Sequence, residues 1–324
     1  MILHADALEI LLLALAFDAL IGDPDRIWRR IPHPVVWIGS LIGWSDRLLN
    51  REGWPDETRR GAGVLALLAV LALSAVAASF VEEGLRRLPG GGILVALVAS
   101  VFIAQRSLAQ HVGRVRDAFA TGGLTGARRA VSQIVGRDPQ RLGEAGVARA
   151  AIESTAENFS DGVVAPAFWF ALFGLPGLVA YKALNTADSM IGHLSARHRA
   201  FGWAAARLDD VANLLPARLA GGLVALAAPL GRGSPGRAFR TMLRDAPLHR
   251  SPNAGWPEAA MAGALDLALA GPRTYASGTV EDPFLHPEGR RDAGLRDITR
   301  ALRVMAGAAI LQALLYGVLA LAAA

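Results

Sequence analysis

The chain has 324 residues, a net charge of +5 and a hydrophobic share of 53%. It has no cysteine, which excludes disulfides, thiolate nucleophiles and thiolate metal centres together. Its basic residues are arginines apart from Lys182, and they are scattered among loops with no basic run interleaved with aromatics, which excludes a nucleic-acid interface.

The apolar residues are blocked rather than spread. A bilayer core of ~30 Å needs ~20 such residues as a helix. Four full spans are expected, over 2–21, 62–81, 88–105 and 304–324. The first carries His4, Asp6, Glu9 and Asp18. Ionisable groups at membrane depth usually face a bundle interior. The same carboxylates, with no basic n-region before them, argue against a cleaved signal. The third span opens on Pro89, Gly90, Gly91 and Gly92, a turn that shortens the helix.

Two further apolar stretches are interrupted: 162–181 by Pro166, Gly174, Pro176 and Gly177, and 211–230 by Pro216, Arg218, Gly221 and Gly222. Such breaks survive at membrane depth only where protein or a wet cavity satisfies the backbone. Both are expected to be broken or re-entrant. On that reading 22–61, 106–161, 182–210 and 231–303 share one side, with 30 Lys/Arg against 2 in 82–87. If both stretches cross, the split is 26 to 6. The excess marks the cytoplasmic face. Residues 106–150 read as amphipathic helices, with Val112, Val115 and Phe119 at helical spacing. No alternating strand pattern of useful length occurs. The expected fold is all-α: a polytopic membrane protein of one domain over 1–324, with cytoplasmic helical loops.

Four polar stretches could carry chemistry. In the first, Glu153, Glu157 and Asp161 step by four and share one helix face. Carboxylates so placed repel unless a cation sits between them, and hard oxygen ligands suit Mg²⁺. The plainer alternative is a solvated acidic face. In the second, Lys182, Asn185 and Asp188 face one way, which suits a metal–phosphate site or simple helix-end capping. The third joins Arg207, Asp209, Asp210 and Asn213, with Asp209 expected to pair with Asn213, and Asp210 with Asn213 or Arg207. Arg218, inside an apolar run, needs an anion. The fourth, Ser251-Pro252-Asn253-Ala254-Gly255-Trp256-Pro257-Glu258, is a tight turn ahead of an apolar helix over 259–271, with Pro257 and Glu258 suited to its first turn. That helix start could bind an anion or be merely capped. Gly22-Asp23-Pro24 and His33-Pro34 are weak signals alone. There is no P-loop and no nucleophile elbow.

Taken in order from residue 22 to about 265, these stretches, with Ser189-Met190 and Phe201-Gly202-Trp203, resemble the motif set of adenosylcobinamide-phosphate synthase, the CbiB/CobD family of cobalamin biosynthesis. Each motif is weak, but six in order are specific. The resemblance implies an ATP- and Mg²⁺-dependent amide ligation of adenosylcobyric acid with (R)-1-aminopropan-2-ol or its O-phosphate. It places the chain in the cell inner membrane with its active side cytoplasmic, and other late-pathway membrane enzymes as partners. On it, Glu153, Glu157, Asp161 and Asp188 are assigned to Mg²⁺, and Lys182 and Arg218 to phosphate. Asp209, Asp210 and Asn213 complete the catalytic set. Ser154, Asn158, Asn185, Ser189, Ser251, Asn253 and Glu258 are assigned to substrate or phosphate. The rivals are a prenyltransferase of the UbiA type, a transporter, and a scaffold without chemistry. The first lacks its Asn-Asp-x-x-Asp motif here, and the second its internal repeat.

Overall fold

The computed structural model describes residues 4–24, 28–135, 139–275 and 278–324, and no side chains within 273–280. Twelve helices are described: α1 (Ala5–Leu20), α2 (Pro34–Leu49), α3 (Asp56–Arg86), α4 (Gly91–Ser100), α5 (Gln105–Val131), α6 (Glu144–Phe159), α7 (Ala165–Ile191), α8 (Trp203–Ala212), α9 (Leu214–Leu226), α10 (Pro235–Asp245), α11 (Gly255–Leu265) and α12 (Leu295–Ala323). Four short strands lie between α11 and α12. β1 (Leu269–Ala270) pairs with β4 (Phe284–Leu285), and β2 (Arg273–Tyr275) with β3 (Gly278–Val280), both antiparallel. These strands are too short to leave an alternating pattern in the sequence.

Among the described residues, four helical runs are long and apolar enough to cross a membrane: Asp56–Arg86, Gly91–Val131, Glu144–Ile191 and Leu295–Ala323. The chain is thus an all-α polytopic membrane protein. The details differ from expectation. Residues 2 and 3 of the first expected span lie outside the described residues. The rest forms α1, whose 16 residues rise only ~24 Å. The third expected span is a 10-residue helix that begins after Gly90, at φ 70°.

The chain folds into two compact units. The first comprises Met1–Ile103, Ala165–Asn213 and Tyr316–Ala324; the second comprises Ala104–Val164 and Leu214–Leu315.

In the first unit α3 and α7 form the main helix pair, with α2 against both. Pro34 shares an apolar cleft with Val81 and Val98, while Asn50, just past the other end of α2, accepts from Arg59 Nε at 2.8 Å. Helix α2 therefore runs antiparallel to α3 along most of its apolar length. Within the 22–61 segment, expected as an extramembrane loop, the structure thus places a helix against α3. Sixteen residues with Ser45, Asp46 and Arg47 in their last turns are too short and too mixed to register as a span. Met190 of α7 packs where Gly39 and Gly43 leave room on α2.

The break expected near Gly174 is present. Gly174 has φ 65° and ψ −155°, a region essentially closed to other residues. A Cβ on Gly177 would lie 2.5 Å from the Trp169 carbonyl oxygen, whereas eight residues of straight helix rise ~12 Å. The chain therefore turns sharply inside α7. The new helical segment is capped from α3: the Leu175 N–H donates to Glu82 Oε2 at 3.0 Å. Helix α5, in the second unit, repeats the device at Gly123, with Gly126 against the Ala118 carbonyl.

In the second unit α10 and α11 pack closely, as do α9 and α11, and α6 lies on α11. The tightness comes from small residues. A Cβ on Gly263 would meet Thr241 and Ala238 at 2.8 Å, and one on Gly221 would meet Met242 Sδ at 2.7 Å. Helix α9 has 13 residues, too few to cross alone, as the broken 211–230 segment suggested. A charged network ties the 266–297 segment down: Arg244 pairs with Asp245 and Glu288, and His286 with Asp266 and Glu288.

Candidate functional site

The four polar motifs meet two by two, each pair within one unit.

In the first unit, the second and third motifs come together at the end of α7 and along α8. Asp209 is 9% exposed and Asn213 1%. Asn213 Nδ2 donates to Asp209 Oδ2 at 2.9 Å, the pairing expected from their spacing. The Tyr181 hydroxyl donates to Asn213 Oδ1 at 2.9 Å. This fixes the amide so that its NH₂ faces Asp209. Asn185 also hydrogen-bonds the Asp209 carboxylate. Burial pushes the Asp209 carboxyl up to about 7, helped by the charges of Asp188 and Asp210 and opposed by the Asn213 and Asn185 bonds. Asp210 sits 3.7 Å from Arg207, again as expected, yet burial still raises its pKa because that arginine is largely exposed. A carboxyl tuned close to neutrality can hold or release a proton at working pH.

Nearby assignments fare differently. Lys182 is half-buried on the same helix as Asn185 and Asp188. The Ser189 hydroxyl donates to the Asn185 carbonyl at 2.9 Å, a bond inside its own helix. Tyr181 carries a role that its neighbour Lys182 had drawn attention from; its signal was a tyrosine within an otherwise polar motif.

In the second unit, the first and fourth motifs meet where α6 packs on α11. Glu153, 6% exposed, accepts from the Ala270 N–H through Oε1 at 2.9 Å. Ala270 has φ 56° and Gly271 φ 81°, so this carboxylate pins a strained corner. One oxygen of Glu153 is thus committed to the fold. Asp161 does not continue the α-helical face of Glu153 and Glu157. Helix α6 ends at Phe159, and Ser160–Val164 form a π turn. The wider turn shifts Asp161 out of the four-residue register. Glu157 and Asn158 are exposed and Asp161 half-buried. Ser154 donates to the Ile134 carbonyl at 2.7 Å and accepts from Asn158 Nδ2 at 3.0 Å.

The fourth motif opens on a Ser251 turn, whose Oγ accepts from the Asn253 and Ala254 N–H groups at 3.2 and 3.1 Å. Ser251 is therefore occupied by its own loop. Helix α11 ends at Leu265, six residues short of the helix expected to 271, because Asp266 takes a left-handed φ of 60°. Glu258, 2% exposed, faces His249 Nε2 at 3.8 Å, and Asn253, five residues before Glu258, is also buried. His249 escaped the sequence reading; it stands two residues before a turn, where a histidine carries no signature. Arg218, assigned to phosphate, has its guanidinium 4.3 Å over the Trp256 ring and donates to the Leu214 carbonyl at 2.6 Å.

Among the described residues no group of three or more histidine, aspartate or glutamate side chains is arranged as a cation cage. Magnesium rarely needs one: it takes one or two carboxylates and fills its octahedron with water and substrate phosphate. The mutually repelling Asp188, Asp209 and Asp210 are chemically suited to such a partial site, as are the accessible Glu157 and Asp161.

A family model described as CobD/Cbib protein matches residues 11–305. A protein of Sinorhizobium sp. named cobalamin biosynthesis protein CobD is 54% identical over 309 residues, which cover 94% of this chain and 96% of its own. The protein of that name from Brucella suis biovar 1 is 54% identical over 298 residues, 91% of each chain. The one from Rhodobacter capsulatus is 49% identical over 304 residues, 92% of this chain and 94% of its own. No solved structure matches. With this motif order and matches of this length, the chain belongs to the CobD/CbiB family of cobalamin biosynthesis proteins.

Proposed function

We propose that this protein is an adenosylcobinamide-phosphate synthase. It would join the carboxylate of adenosylcobyric acid to the amine of (R)-1-aminopropan-2-ol, free or O-phosphorylated, at the expense of ATP. A carboxylate is a poor electrophile. In the first step its oxygen attacks the γ-phosphorus of ATP, giving an acyl phosphate and ADP. In the second the amine attacks the acyl carbon, phosphate leaves, and a base accepts the amine's proton.

The observation that carries the reading is the buried Asp209 with half-buried Asp188 and Asp210 beside it, in a chain of cobalamin-biosynthesis type. Asp209, near 7 and held by two amides, is suited to accept the amine's proton. Asp188 and Asp210 are assigned to Mg²⁺ in the first unit, and Glu157 and Asp161 are separate candidate Mg²⁺ ligands of the second. When bound, the ion would neutralise charge on the transferring phosphoryl group. Lys182, half-buried beside Asn185, supplies a point charge for phosphate. Glu258 and His249 form a second buried acid–base pair for the amino alcohol end. The active side is assigned to the cytoplasm of the inner membrane, where ATP is available.

Purified protein incubated with adenosylcobyric acid, ATP, Mg²⁺ and either amine should yield the amide, with ADP formed in step. Absence of amide with both amines, while an isoprenyl diphosphate is consumed or vesicles containing the protein take up corrinoid, would replace this reading with one of its rivals.

A further inference from the structure

We infer that the first unit holds an anionic phospholipid, its phosphate at Arg60 and one acyl chain running down α3 into a cleft between α3, α7 and α8. Arg60 stands where the uncharged run of α3 begins, which is headgroup level for a spanning helix. Its guanidinium lies 5.3 Å over the Trp203 ring and belongs to no ion pair among the described residues. The nearby Asp56 is already faced by Arg199 at 3.3 Å and Arg59 at 3.7 Å. The corner that carries Trp203 is fixed tightly: Gly63 of α3 touches the Phe201 carbonyl so closely that a Cβ has no room.

From Arg60 a stripe at helical spacing leads down α3 through Val64 and Leu68 to Leu71 and Ala75. Leu68 is 55% exposed. Leu71 and Ala75 line a cleft of about 420 Å³ together with Trp169, Phe173, Leu208 and Ala212. The cleft is walled almost wholly by carbon, and its volume falls within the ~300–1,000 Å³ of small-molecule sites. Trp169 and Phe173 stack at 5.8 Å and form a flat side. Eleven residues of helix separate Arg60 from Leu71, a rise of ~16 Å. That is close to the ~15 Å of one leaflet's hydrocarbon. A lipid with its phosphate at Arg60 therefore ends its chain in the cleft. A single cation near the surface favours an anionic headgroup over a zwitterionic one about fivefold.

The test uses phosphatidylglycerol with bromine in its acyl chain, and phosphatidylcholine brominated alike, each in vesicles of unbrominated phosphatidylcholine containing the purified full chain. The signal is the quenching of Trp169, taken as the difference between wild type and Trp169→Phe. Brominated phosphatidylglycerol should quench it about fivefold more effectively than brominated phosphatidylcholine. Arg60→Gln should remove that preference, and Ala75→Phe, which fills the cleft, should remove quenching by both. Equal quenching by the two lipids in wild type, a preference that survives Arg60→Gln, or no quenching at all would each overturn the inference. A wild-type elution profile for each variant, in detergent, excludes misfolding as the cause.

Discussion

Replacing Asp209 with asparagine should make the protein more stable above neutral pH. In the folded chain burial and the Asp188 and Asp210 charges lift this carboxyl from 3.8 to about 7. The folded state therefore holds the proton more tightly than the unfolded one. The stability from that preference is complete below pH 3.8, declines as pH rises toward 7, and is gone above it. At ~1.4 kcal/mol per pH unit the span corresponds to about 4 kcal/mol. Asp209→Asn keeps a neutral acceptor for Asn213 and loses about 1 kcal/mol in exchanged hydrogen bonds. Thermal unfolding in detergent across pH should show wild type losing several kcal/mol between mildly acidic and slightly alkaline buffer, with the variant flat. Mg²⁺, to which Asp188 and Asp210 are assigned, should stabilise both proteins above neutral pH. Parallel curves for the two proteins would refute the reasoning that like charges crowd this pocket.

Gly174→Ala should destabilise by at least ~1–3 kcal/mol, because alanine cannot adopt φ 65° with ψ −155° without strain and its Cβ would press on Glu82 Oε2 at 2.9 Å; chemical denaturation measures it. Glu82→Gln, which weakens the cap on Leu175, should cost about 1 kcal/mol in the same assay. Glu153→Ala should lower thermal stability with or without Mg²⁺, since its carboxylate holds the Ala270 corner; a loss seen only with Mg²⁺ present would return it to the metal set. Tyr181→Phe should strip Asn213 of a buried partner at ~1–3 kcal/mol and slow any ligation that depends on Asp209, read as a fall in kcat.

Much of this was legible in the sequence because two strong signals coincide. Uncharged runs of bilayer length mark α3 and the C-terminal α12, and glycine next to proline marks the turn at Gly174. The Asp209–Asn213 and Asp210–Arg207 pairs also follow from helical spacing alone. Other features were hidden for physical reasons. Helix α2 is too short and too mixed to register, yet it packs on α3 and on α7, where Gly39 and Gly43 admit Met190. The π turn at Ser160–Val164 breaks a register that four-residue counting assumes. Arg218 could not be placed by hydropathy, since what it found was an aromatic face supplied by Trp256, 38 residues away. The bond from Glu153 to the Ala270 N–H was hidden because nothing in sequence announces a partner 117 positions later.

The most direct measurement is ligation by wild type, Asp188→Asn and Glu157→Gln as Mg²⁺ is lowered, scoring adenosylcobinamide product and ADP together. An amide ligase built on these carboxylates should form both products in step, and each variant should need more Mg²⁺ than wild type to do so. Full wild-type rates from both variants at limiting Mg²⁺, or ADP released without amide, would contradict it.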